Sequence, residues 1–171
     1  AHLETAVNVL WDAHPLVGER IVVVGAGTVG SLVAWLAGRM PACEVTLVDI
    51  NPRRVRIAEA LGVRFSVPAN VTDGADLVIH TSGSPAGAEL ALRAAGFEAT
   101  VVEASWYGTQ RVSLPLGEGF HALRLTLKSS QVGAVAASAR PRWDARRRME
   151  LAVSLLVEPA LCALITSESS C

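Results

Sequence analysis

The sequence predicts an α/β domain with six strands in a mostly parallel sheet, doubly wound, with helices on both faces. Three observations carry that prediction. Apolar, β-branched runs at Ile21 to Val24, Val45 to Val48 and Leu77 to Thr81 alternate with stretches at helical spacing, as expected of strands buried on both faces. Turn chemistry falls between them, at a glycine-rich Gly25 to Gly30, at Asn51-Pro52 and at Ser84-Pro85. With 171 residues, 51% hydrophobic and 18% charged, the chain has material for one core and is not a disordered segment.

The elements follow in order. Leu3, Val7, Leu10 and Trp11 lie on one face of an amphipathic helix within Ala1 to His14. Strand one is Ile21 to Val24. A helix then starts near Thr28, presents Leu32, Val33 and Leu36, and stops before Pro41. After strand two, Asn51 is an N-cap with Pro52 behind it, and Gly62 closes a helix from Arg53 to Leu61. Arg64 to Val67 is a short third strand and Leu77 to Thr81 the fourth. The crossover from Pro68 to Asp76 is too short for the helix that usually joins parallel strands, so a loop is expected there. Ser84-Pro85 opens a helix to about Ala95, which Gly96 closes, and strand five is Ala99 to Glu103. An irregular stretch from Trp106 to His121 includes a short extended piece at Arg111 to Leu116. Leu123 to Ser129 alternates as strand six. The last helix follows Pro141 and Trp143 and runs to about Val157, and Leu161 to Thr166 adds a terminal strand. There is no internal repeat or linker, so residues 1–171 form one domain. The chain starts at Ala1 rather than Met, as an excerpt of a longer protein would.

Charge and cysteines narrow the function. A net charge of -1 lacks the positive field that nucleic acid requires. Cys43, Cys162 and Cys171 are widely spaced and form no C-x-x-C pair, which argues against a disulfide framework and fits a reducing, cytoplasmic setting. The uncharged run from Ile21 to Gly38 approaches the length of a membrane span, but its three glycines suit a strand, a turn and a helix better. Glu4 and Asp12, with no basic region before them, exclude a signal peptide.

Residues Gly25-Ala26-Gly27-Thr28-Val29-Gly30 match G-x-G-x-x-G, a weak pattern alone that its context makes specific. It follows a buried strand, opens a helix, and is followed about 20 residues later by Asp49 at the end of strand two, the arrangement of a Rossmann dinucleotide site. Gly25 permits the tight turn, Gly27 lets the backbone approach a pyrophosphate, and Gly30 allows close helix packing. The helix N-terminus, with Thr28 and Val29, offers N–H groups to the phosphates. Asp49 would accept from the adenosine ribose hydroxyls. Ile50 beside it and Arg54 beyond it are counted with it as cofactor-binding candidates. Because a carboxylate in that place repels a 2'-phosphate, NAD(H) is expected over NADP(H).

Rival chemistries lack their residues. No second segment is devoted to a flavin ring, and Val24 stands where a methyltransferase would have an acid. The only tyrosine, Tyr107, is not paired with the only lysine, Lys128, as a short-chain dehydrogenase requires, and G-x-S-x-G is absent. His2, His14, His80 and His121 are scattered and form no metal motif. His80, near the end of strand four, reads as a hydrogen-bonded structural histidine. The basic run Arg140, Arg142, Arg146, Arg147 and Arg148 reads as a solvated helix start.

With these residues in hand, the chain resembles the nucleotide-binding domain of the medium-chain, zinc-type alcohol dehydrogenase family. Leu3-Glu4-Thr5-Ala6, the run from Val17 to Gly30, Ala60-Leu61-Gly62-Val63, Asp76 to Gly83 and Leu123 to Ser130 carry the likeness. The resemblance implies that Thr81, Ser82 and Gly83, then Ala104 and Ser105, and finally Ser129 and Ser130 line the nicotinamide half of the cofactor. It also implies a homodimer through strand six, and zinc only on a catalytic domain absent from this chain. The function expected is orientation of nicotinamide for hydride transfer to or from an alcohol or carbonyl, the chain alone being inactive. The alternative is a free-standing dinucleotide sensor or assembly module without catalysis.

Overall fold

Strands β1 (Arg20–Val24), β2 (Glu44–Val48), β3 (Arg64–Ser66), β4 (Ala75–His80), β5 (Ala95–Glu103) and β6 (Thr126–Ser129) form one sheet in the order β3-β2-β1-β4-β5-β6. Every neighbouring pair is parallel in this computed structural model, which describes residues 1–164. The strand order reverses between β1 and β4. Chains leaving those two strands therefore part in opposite directions and open a crevice at the carboxyl ends.

Strand periodicity sorts the core into two layers. Ile21, Val23, Val45, Leu47, Leu77 and Ile79 pack against helices α1 (His2–Ala13), α2 (Thr28–Ala37), α3 (Val55–Leu61) and α5 (Ala145–Leu155). The intervening Val22, Val24, Val48, Val78 and Val101 face α4 (Pro85–Ala94) and the loop around Leu114 to Leu123. Both faces are apolar, which is why the sequence shows continuous runs instead of alternation. Turn residues act as expected at two places. Asn51 accepts from the Arg53 N–H through Oδ1, starting the 3-10 turn Pro52–Arg54 that leads into α3, and Gly62 ends α3 with φ 73°.

The short crossover before β4 contains only the 3-10 turn Pro68–Asn70, so no helix covers the sheet there. Several expectations need correction. α4 runs directly into β5, which begins at Ala95 and not at Ala99, and Gly96 does not cap the helix. Instead a Cβ at Gly96 would sit 3.0 Å from the Gly74 backbone, tighter than an ordinary contact, so glycine suits the close approach of the two segments there. β5 carries an irregularity between its pairings with Ala75 and Leu77, with Glu98 at φ 58°. Arg111 to Leu116 forms no strand, and β6 is shorter than Leu123 to Ser129 because Arg124 adopts φ 55° and turns the chain before it. The expected terminal strand is a 3-10 segment, Pro159–Leu164, and Ile165 and Thr166 lie outside the described residues.

The basic run is not uniformly solvated. Arg140, Arg142, Arg146 and Arg147 are exposed, whereas Arg148 is buried on α5. Its guanidinium meets Glu4 Oε1 at 2.9 Å, Asn8 Oδ1 at 2.6 Å and the carbonyls of Val132 and Ala134, so its donors are committed to α1 and the loop before α5. Removing one member of such a buried pair strands the other charge. Arg148→Ala is expected to lower unfolding free energy by about 3–5 kcal/mol. The exposed Arg146, paired with Glu150 at 3.0 Å, should contribute less than about 1 kcal/mol. Urea denaturation of Arg148→Ala and Arg146→Ala measures both, and equal losses would contradict this assignment.

Candidate dinucleotide-binding site

The crevice is built on a turn that leaves no room for side chains. Gly25 has φ 110°, and a Cβ there would lie 2.8 Å from the Ser82 backbone; one on Gly30 would enter the Gly25 carbonyl and Thr81 Oγ1. The Thr81 hydroxyl reaches the carbonyls of Val24 (3.1 Å) and Gly25 (3.0 Å). Gly27 differs, because a Cβ on it would meet nothing within 4 Å and would project into the space in front of α2. Gly27 is the N-cap of α2 and no side chain caps that end, so the N–H groups of the first turn, at exposed Thr28 and half-buried Val29, remain available to an anion.

Asp49 closes the other side. Its Oδ2 accepts from the Ala26 N–H at 2.8 Å and its Oδ1 from the Asn51 N–H at 2.8 Å, which ties the glycine turn to the end of β2. Each oxygen keeps lone pairs for further donors. A cleft of about 500 Å³ opens beside it, lined among others by Val48, Asp49, Ile50, Pro68, Ser82 and Leu90. Ile50 stands at the rim, 86% exposed. Arg54 is half-buried at the end of the 3-10 turn that follows, and Arg53 is exposed.

The predicted residues do not all converge. Gly25, Gly27, Thr28, Val29, Gly30, Asp49, Ile50, Thr81, Ser82 and Gly83 meet at the β1, β2 and β4 ends, and Ser82 shares the Asp49 cleft. Ala104 and Ser105 follow β5: the Ala104 N–H donates to the His80 carbonyl, and the Gly83 N–H donates to Ser105 Oγ at 3.1 Å. Ser130 lies two strands from Thr81. Its N–H donates to the Glu103 carbonyl and its hydroxyl to Asp12 on α1 at 2.7 Å, so its side chain is held by α1.

Behind Ser82 lies a polar group that the sequence reading reached only through His80. His80 is fully buried on the α4 side of β4, with Nδ1 2.8 Å from Glu103 Oε2 and Nε2 2.6 Å from Ser82 Oγ. Glu103 Oε1 accepts from the Ser105 N–H, and the Tyr107 hydroxyl donates to Oε2 at 3.2 Å. Desolvation alone would raise the Glu103 pKa, but its hydrogen bond to His80, the His80 charge when present, and the bonds from Ser105 bring it below its ordinary value. Burial and the neighbouring Glu103 charge push Tyr107 up to about 12, so its proton stays in place at neutral pH. The available sequence signal was an acid ending strand five directly beside a histidine ending strand four, and His80 and Glu103 are indeed register partners. Among the described residues no group of three His, Cys, Asp or Glu side chains gathers as a metal site, and no helix is long and apolar enough to cross a membrane.

No protein-family model matches the chain. Its sequence is 38% identical over 81 residues to L-threonine 3-dehydrogenase of Rhizobium rhizogenes, covering 47% of this chain and 23% of that protein. It is 29% identical over 164 residues to D-guloside 3-dehydrogenase of Escherichia coli, covering 89% of this chain and 47% of that protein. The chain thus spans less than half the length of these relatives. The fold matches galactitol-1-phosphate dehydrogenase of Escherichia coli with a TM-score of 0.76 at 21% identity, over 94% of this chain and 48% of that one. Two structures solved with cofactor are similar in fold, each with a TM-score of 0.71 and 18% identity. One, from Sinorhizobium meliloti, is described as a zinc-binding dehydrogenase and holds NADP, over 90% of this chain and 47% of that one. The other, an alcohol dehydrogenase from Escherichia coli, holds NADH, over 92% of this chain and 47% of that one.

The lowered Glu103 pKa has a signed consequence for stability. A carboxyl whose folded pKa lies below its unfolded value stabilises the fold above that unfolded value, and the contribution disappears as pH falls through the folded value. The advantage of the native chain over Glu103→Gln should therefore be constant at neutral pH and shrink as pH drops below about 4.5. Urea melts of both proteins from pH 7 to pH 3 measure it, and a gap that widens toward acid would refute the assignment.

Proposed function

We propose that this chain, a nucleotide-binding domain of the zinc-type, medium-chain alcohol dehydrogenase kind, binds NAD(H) and orients nicotinamide for hydride transfer in a larger oxidoreductase. The observation that carries the reading is the Asp49 carboxylate, fixed by two backbone N–H groups between the glycine turn and the end of β2. The turn supplies N–H donors for the pyrophosphate and Asp49 accepts from the adenosine ribose. Ser82, expected with the nicotinamide half, lines instead the cleft it shares with Asp49, while Thr81, Gly83, Ala104 and Ser105 lie toward the nicotinamide half. The hydride chemistry belongs to the cofactor, and the protein contributes position and electrostatics.

The remainder of the parent enzyme supplies the alcohol or carbonyl pocket and any zinc, and this chain alone is inactive. Its thiols suit a cytoplasmic setting. NAD(H) is preferred because a 2'-phosphate would bring negative charge against Asp49. Arg53 and Arg54 stand close enough in sequence to moderate the preference.

Asp49→Ser should weaken NADH binding on the order of ten- to a hundredfold, the effect of losing a charge-assisted partner worth about 1.5 to 3 kcal/mol, and should narrow or reverse the gap to NADPH. Calorimetric titration of both cofactors against both proteins decides it. Tighter NADPH binding by the unmodified chain would defeat the reading.

The chain further assembles as a homodimer through β6, an exposed edge strand whose outward row of backbone groups is a pairing template. The Ser130 N–H donates inward to Glu103, so by alternation Thr126 and Lys128 also face β5 and Leu127 and Ser129 donate outward. Leu127→Pro removes an outward donor while sparing the ladder to β5. Light scattering should show a dimer before this change and a monomer after it; a monomer throughout would exclude the interface.

A further inference from the structure

The Ser82, His80 and Glu103 side chains form a continuous hydrogen-bonded row from the cleft into the interior, and the direction of every bond in it follows from one end. Glu103, held ionised at neutral pH, can only accept, and it accepts from the Ser105 N–H, the Tyr107 hydroxyl and the imidazole. The proton on that side of His80 is therefore on Nδ1. His80 has no exposed surface, and its carboxylate partner is already shared among three donors. Glu103 and Tyr107 are the titratable groups in contact with the ring. On an imidazole with its proton on Nδ1, Nε2 accepts, and among the described residues the donor that reaches it is the Ser82 hydroxyl, at 2.6 Å.

The surroundings hold this row shut. α4 passes over it so closely that a Cβ on Gly87 would overlap Ser82 Oγ and lie 2.6 Å from His80 Nε2. The Ser84 N–H reaches Ser82 Oγ at 3.3 Å, adding a donor to that oxygen. With its proton spent inward and one lone pair taken by the Ser84 N–H, Ser82 retains one lone pair toward the cleft it shares with Asp49.

We propose that Ser82 presents an acceptor-only oxygen to the cleft and so determines specificity: a ligand hydroxyl or N–H is accepted against it, and a phosphate oxygen is refused. This rests on the dinucleotide reading for the identity of the ligand group, an adenosine ribose hydroxyl beside Asp49. His80 is a positioning residue that acts through Ser82, and two neighbouring acceptors, Asp49 and Ser82, act on the same side against a 2'-phosphate.

Nitrogen-15 NMR of histidine-labelled chain without any ligand reads the row directly. At pH 7, His80 should show a protonated Nδ1 and a bare, hydrogen-bonded Nε2. In Ser82→Ala the Nε2 resonance should shift as its donor disappears, and in Gly87→Ala it should shift as the row is forced apart. An imidazolium, or a proton on Nε2, overturns the proposal. Titration then tests the consequence. Ser82→Ala should lose about tenfold in NADH affinity while NADPH affinity changes less than threefold; equal losses for both, or none for NADH, overturn it. If the unmodified chain binds neither cofactor, the dinucleotide reading and the selectivity fail together, while the ligand-free spectrum separately decides whether the row itself is as described.

Discussion

The rest of the molecule depends on how closely three backbones meet at the end of β1. The Gly25 backbone lies against Ser82, and Gly30 lies against both the Gly25 carbonyl and Thr81, with Thr81 returning hydrogen bonds to the β1 carbonyls. Any Cβ at Gly25 or Gly30 would push α2 away from the sheet or β1 away from the β4 loop. Because protein interiors are packed like crystals, such a displacement would not be absorbed locally. The contact fixes where α2 begins, where its free N–H groups point, and how far Asp49 must reach to hold Ala26. The geometry of the turn and the packing of the sheet are thus set by a single steric condition.

That condition was legible in the sequence because it permits only one residue type. So were the strands β1, β2 and β4, whose apolar runs have no other comfortable place than a sheet covered on both faces. The ends of elements were harder to read where tertiary contact overrides local chemistry. Gly96 has the look of a helix cap, but it is there because Gly74 passes within van der Waals distance. Leu123 to Leu125 alternates like a strand, but Arg124 takes a left-handed conformation and its side chain pairs with Glu98 at 2.8 Å.

The site divides in the same way. The glycine turn and Asp49 are a local pattern within one strand-helix-strand unit and can be found by spacing. Glu103, Tyr107 and Gly87 come from separate elements and meet His80 only because β4 and β5 align it with Glu103 and α4 passes overhead. Ser130 shows the reverse, since a residue at a plausible strand end spends its hydroxyl on α1. Arg148 was hidden by its neighbours: five arginines in one stretch look alike until burial singles one out.

The bonds around Arg148 also have a bearing on the order in which the chain can fold as it is made. Asn8, fully buried in α1, accepts from the Ala136 N–H and from Arg148, and Glu4 is held by the same guanidinium. α1 leaves the ribosome before any strand of this sheet, but the partners of Asn8 Oδ1 and Glu4 lie more than a hundred residues downstream. At a synthesis rate of about 5–20 residues per second, the Asn8 Oδ1 and Glu4 acceptors wait roughly 6–29 seconds for those partners. The glycine turn and its strands are complete well before then. The crevice at the β1, β2 and β4 ends can therefore form while α1 is still loosely attached, and the docking of α1 comes late although its residues are made before those of the sheet.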